Sequence, residues 1–109
     1  MEATYVQSGH ILDYTPTDKA VAYGEVVNLT TRIGIALDDI PQNAAGHIQV
    51  NGTWRMTKAP SETIEQGAAV YYVTASDHIT ATQDSNIPAG YAAAKSKSAD
   101  GTVLVKLLG

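Results

Sequence analysis

The sequence predicts an all-β domain with at most one or two short helical turns. Three observations carry this. Apolar residues come in short alternating runs, the period of strands with one face buried. The runs are punctuated at close intervals by Gly, Pro, Asn and Asp. The apolar content, 44%, includes no Phe and a single Trp, so the core must be built from small and β-branched side chains that suit a pleated surface.

Taken along the chain, the predicted strands are 5–7, 11–14, 26–29, 32–37, 47–50, 53–56, 69–74, 79–82, 89–94 and 102–107. The last is the cleanest, with Val103, Val105 and Leu107 on one face and Leu104, Lys106 and Leu108 on the other. Asn51-Gly52 is a type I′ hairpin signal and is expected to join 47–50 to 53–56. Ser76-Asp77 reads as a second hairpin, between 69–74 and 79–82. Only 61–66 carries a helical pattern, a single turn at best.

A weak internal repeat is also visible. Gly34-Ile35-Ala36-Leu37 followed by Gly46 resembles Gly90-Tyr91-Ala92-Ala93 followed by Gly101. Each copy reads as strand, loop, glycine turn, strand. Two copies suggest paired β-units, whereas a solenoid needs three or more. With 109 residues there is room for one domain, divided here into an N-terminal arm or edge strand (1–16) and a single β domain (17–109).

Composition narrows the function. Seven Lys and Arg against eleven Asp and Glu give a net charge of −4, which lacks the basic face that nucleic-acid binding requires. No Cys is present, which rules out disulfides, thiolate chemistry and Cys-based metal sites. Glu2 follows Met1 directly and no leader-like apolar run comes after it, so no export signal is expected. The longest apolar stretch, 68–73, is too short to cross a bilayer. The sequons at Asn28 and Asn51 are expected to be turn residues.

Nothing gathers into an active site. His10, His47 and His78 are far apart and form no paired metal-ligand motif. Asp38 and Asp39 are adjacent, but neighbours on extended chain point in opposite directions, which suits an acid/base couple poorly. No nucleophile elbow and no phosphate-cradling glycine loop is present. The chain is expected to be no enzyme and to need no cofactor.

Two segments fit binding better. Tyr5 and Val6, flanked by Thr4 and Gln7, form an apolar patch in a polar leader. They are either an edge strand of their own domain or an arm that adds a strand to a neighbouring chain. Trp54-Arg55-Met56 with Lys58 combines residue types enriched at interface cores; the lone Trp is alternatively a core anchor. The expected contact residues, to capsid or subunit, are Thr4, Tyr5, Val6, Gln7, Trp54, Arg55 and Lys58.

The ordered blocks of the chain carry a family likeness. Tyr5 to Pro16 (YVQSGHILDYTP), Tyr23-Gly24-Glu25-Val26-Val27, Ile33 to Ile40, Val50-Asn51-Gly52-Thr53-Trp54, Gln66 to Tyr72 and Gly101 to Leu107 together resemble the capsid cement, or head-decoration, proteins of tailed phages. Each block is unspecific; their order over nearly the whole chain is not. His10, Thr57 and Ala68 depart from residues common in that family, and they touch loops more than strands. The resemblance implies a compact β-barrel or β-clip-like fold. It also implies a role on the exterior of the head, similar to the trimeric decoration proteins of lambda-like phages. The major capsid protein and further copies of the chain are the implied partners, with assembly in the bacterial host cytoplasm and no catalytic residues. A receptor- or glycan-binding module of a head fibre or tail is the rival reading, and Tyr71 with Tyr72 is the aromatic pair it would use.

Overall fold

A computed structural model describes residues 1–108. Among them the chain forms nine strands: β1 (Ile11–Tyr14), β2 (Val26–Asn28), β3 (Ile33–Ala36), β4 (Gly46–Gln49), β5 (Thr53–Thr57), β6 (Ala69–Val73), β7 (His78–Thr80), β8 (Ile87–Ala92) and β9 (Thr102–Leu107). They make two antiparallel sheets, in the orders β1-β4-β3-β2 and β5-β9-β8-β6-β7. No helix is present among the described residues. The fold is therefore all-β, as the alternating pattern requires.

The two sheets repeat one another strand for strand. β1, β2, β3 and β4 correspond to β5, β6, β8 and β9, and only β7 is extra. The correspondence extends to single hydrogen bonds. Gly24 N–H donates to the Ala36 carbonyl at 2.8 Å, and Gly67 N–H to the Ala92 carbonyl at 2.8 Å. Val21 and Ile40 exchange bonds of 2.9 and 2.7 Å, and Ile64 and Ser96 exchange two of 2.8 Å. Val50 N–H donates to His10 O and Leu107 N–H to Gly52 O, both at 3.0 Å. Gly24 and Gly67 share a left-handed backbone, φ 83° and 86°, which glycine adopts at no steric cost. The weak repeat in the sequence is thus the visible part of a four-strand duplication. In its second half the glycine markers stand two residues out of structural register. Ala36 pairs with Ile48 and Ala92 with Val105, so Ile48 matches Val105 where the glycines had matched it to Val103. A slip of two keeps every side chain on its face.

Two hydrophobic clusters fill the molecule. The larger gathers Met56, Val70, Ile79, Val103, Val105 and Leu107 from the second sheet with Ile33 and Ile35 of β3. The smaller holds Val27, Ala36, Ile40, Ile48 and Val50. All four residues of β3 are buried; Ile33 and Ile35 belong to the larger cluster and Ala36 to the smaller, so this strand is shared by both cores. On β9 the expected face is the buried one, with Val103, Val105 and Leu107 at 2% exposure or less. Leu104 and Lys106 are half-buried on its other side.

A parallel bridge between Lys58 and Ile79, with Ala59 N–H donating to the Ile79 carbonyl at 2.8 Å, brings the edges of the second sheet together at one end. Neither sheet closes into a barrel, which leaves the open, β-clip-like form of the expected fold. The molecule measures 42 × 35 × 23 Å with a radius of gyration of 14.7 Å, above the roughly 13 Å of a compact chain this long.

Three local expectations are corrected. Asn51-Gly52 does not make a hairpin, because β4 pairs with β1 and β3 while β5 pairs with β9. A type I′ turn needs positive φ at both central residues, but only Gly52 has it (φ 93°). The dipeptide instead turns the corner from one sheet to the other. Residues 61–66 form no helical turn: Ser61 lies at φ 64°, and Ile64 is committed to its bridge with Ser96. Residues 5–7 form no strand. The Ser76-Asp77 hairpin is present, with Tyr72 opposite Ile79 and Asp77 N–H donating to the Val73 carbonyl.

Candidate functional site

The amino-terminal residues carry no strand, and residues 1–8 are all exposed. Tyr5 and Val6 keep 81% and 84% of their surface in solvent, an unusual state for two adjacent apolar side chains. Thr4 and Gln7 flank them, and the Gln7 amide donates to the Ile11 carbonyl at 3.4 Å. The segment ends at Gly9, whose φ of 81° swings the chain into β1 at the edge of the first sheet.

Trp54 and Arg55 lie elsewhere, on β5 at the edge of the second sheet. Successive residues of a strand face opposite sides, and here they do. Trp54 is half-buried, packs against the larger core and donates its indole N–H to the Asn51 carbonyl at 2.9 Å. Arg55 is exposed. The lone Trp thus anchors the core while one side of it borders an open groove of about 970 Å³ between the sheets. That groove runs beside β2, with Val26, Ile35, Met56 and Ile79 among its apolar lining and Glu25, Arg55 and Asp77 among its charged lining. No local pattern of residues marks this groove, because it arises from which strand ends up at an edge.

Lys58 is not at the surface. It is 3% exposed, and its ammonium donates to the Glu62 carbonyl at 2.6 Å, to the Ser96 hydroxyl at 2.9 Å and to the Lys97 carbonyl. Three donors meet three acceptors, which is the condition for burying an ammonium without a carboxylate beside it. Lys58 is committed to holding two loops and has no donor left for a partner.

The titratable groups are dispersed. His47 sits 3.4 Å from Asp38 and 3.6 Å from Asp13, all three exposed. Asp39 turns the other way and accepts the Tyr23 N–H at 2.9 Å. No metal-holding cluster of His, Asp and Glu occurs among the described residues. Tyr71 and Tyr72 point to opposite faces of β6 and do not form one aromatic surface. Tyr72 is buried and donates its hydroxyl to Asp77 at 2.6 Å. Burial first, then this bond to a carboxylate, pushes its phenol above the usual range.

No curated protein and no solved structure matches the chain. A family model described as phage cement protein matches residues 6–107, which takes in all nine strands. The duplicated pair of sheets is therefore the framework on which that match is laid, and the chain belongs to the phage cement protein family.

Proposed function

We propose that the protein binds the exterior of an assembled phage head and stabilises it by bridging capsomers. The family match over 6–107 carries this reading, and the exposed apolar arm supports it. Thr4, Tyr5, Val6 and Gln7 reach a neighbouring chain, either shell or subunit, and exposed Arg55 beside Trp54 adds a polar anchor. The partners are the major capsid protein and further copies of the chain, with a trimer preferred. About 800 Å² buried per partner is enough for each stable contact. Repetition over a shell multiplies small gains into resistance to rupture. The protein is made in the host cytoplasm, resides on the virion surface and has no catalytic role.

The test is to mix the purified protein with heads of its own phage before and after expansion, and then to pellet them. Saturable binding to expanded heads with a raised rupture temperature is expected. Absence of the protein from both pellets would overturn the reading.

A further inference from the structure

The duplication exposes a vacancy. On the outer side of β6 lies β7, paired at Tyr71, Tyr72 and Val73. The corresponding strand of the first sheet is β2, and nothing pairs with its outer side among the described residues.

The hydrogen-bonding direction of β2 follows from its ladder. The Glu25 carbonyl accepts from Ala36, and Leu29 N–H donates to the Arg32 carbonyl. Alternation then turns residues 25, 27 and 29 toward β3, and turns the N–H and C=O groups of Val26 and Asn28 outward. Outward is the groove, so an unpaired strand edge forms one wall of a cleft that Trp54 and Met56 line from the other sheet.

We infer that this edge receives the amino-terminal arm of a second copy of the chain. The inference rests on the arm being a contact element, as proposed above, and names its receptor. The arm is extended, unpaired and β-prone at Thr4-Tyr5-Val6-Gln7. Adjacent Tyr5 and Val6 would turn to opposite faces of an added strand, so one of them meets the apolar lining of the groove while the backbone pairs with Val26 and Asn28. Geometry favours a neighbour over the chain's own arm. The arm leaves beside β1, and a strand added outside β2, the opposite edge of the same sheet, would lie about 19 Å away at the usual strand spacing, beyond the roughly 14 Å that the four residues from Gln7 to Ile11 can span. Each copy then donates from one edge and accepts at the other. Such a head-to-tail contact closes into a ring when the rotation allows, which supplies a physical route to a cyclic oligomer.

The test is made in solution, without heads. The full chain should sediment as an oligomer, and a chain lacking residues 1–6 as a folded monomer. Asn28→Pro removes one outward N–H without touching the β3 ladder and should also give monomer. Asn28→Ala, which loses the same side-chain bond to Thr30 N–H, should remain oligomeric. Because the chain has no Cys, Val6→Cys mixed with Asn28→Cys and a short bis-maleimide reads the contact directly. Mixed cross-linked dimer beyond that of either variant alone is expected, and decides the matter if Asn28→Pro fails to fold. A full chain that is monomeric at its highest soluble concentration would overturn the inference. So would an oligomer indifferent to the deletion, or mixed Cys variants that cross-link no more than either variant alone. An arm-linked oligomer that ignores expanded heads would leave this inference standing and remove the cement reading.

Discussion

Ser96 joins Lys58 to β9: its hydroxyl accepts from the Lys58 ammonium at 2.9 Å and donates to the Thr102 carbonyl at 2.8 Å. Through this relay one buried cation fixes the start of β9, the end of β5 and the 93–101 connection.

Lys58→Met should therefore destabilise the fold by about 2–4 kcal/mol, since it strands two carbonyls and a hydroxyl that the ammonium had satisfied. Urea unfolding would show a lower midpoint with an unchanged slope. Lys58→Arg should not rescue it, because a planar guanidinium cannot reproduce the three-way geometry. A midpoint within error of wild type would show that the cage contributes nothing.

Gly90 and Gly67 should respond very differently to alanine. A Cβ on Gly90 (φ 152°) would lie 2.0 Å from the Lys106 carbonyl oxygen, whereas one on Gly67 (φ 86°) meets nothing within 4 Å. Gly67→Ala is expected to cost about 1–2 kcal/mol of backbone strain. Gly90→Ala must part β8 from β9 and should leave little soluble protein. Equal melting temperatures for the two variants would contradict the pairing.

Tyr72 predicts an alkaline limit. Its phenol ionises at higher pH in the folded chain than in the unfolded one, so the neutral form is worth stability that is fully present below about pH 10 and lost as pH rises beyond it. Of the six Tyr, Tyr72 should titrate by ultraviolet absorbance only on unfolding. Tyr72→Phe should cost about 1 kcal/mol at neutral pH through the lost bond to Asp77 and flatten the alkaline fall in melting temperature. An unchanged alkaline limb would exclude this group as its source.

Removal of residues 1–6 should leave the single chain folded, within about 0.5 kcal/mol of the full chain diluted to monomer, because within one chain no strand pairing or buried surface goes with them. Binding to expanded heads should nevertheless be lost. Melting temperature and co-sedimentation measured on the same variant separate the two effects. A clearly lowered melting temperature relative to the diluted, monomeric full chain would make the arm part of its own domain.

How much of this was legible depends on range. Val103, Val105 and Leu107 were readable because a strict period of two is written into adjacent residues. Asn51-Gly52 was misread because a dipeptide encodes a local turn but not which strand its flanks will join. That choice is made by distant partners, β1 and β9. Ser61 hid its left-handed backbone, which propensity does not register. The burial of Lys58 was illegible for the same reason as the groove beside β2: both depend on loops and edges brought together from across the chain. The duplication was half legible, since Gly34 and Gly90 survive as markers while the strands around them have diverged in side chain and kept only their hydrogen bonds.

The shared strand β3 has a consequence for how the molecule is made. As synthesis proceeds from the amino terminus, the first sheet is complete long before β8 and β9 exist, so Ile33 and Ile35 wait uncovered on a nascent half-protein. The second duplicated unit cannot complete its core alone, because Ile33 and Ile35 of the first belong to it. Folding should be all-or-none and should come late, once the final strand has emerged. A chain severed near Asn51 should yield two fragments that recover the native state only on meeting each other.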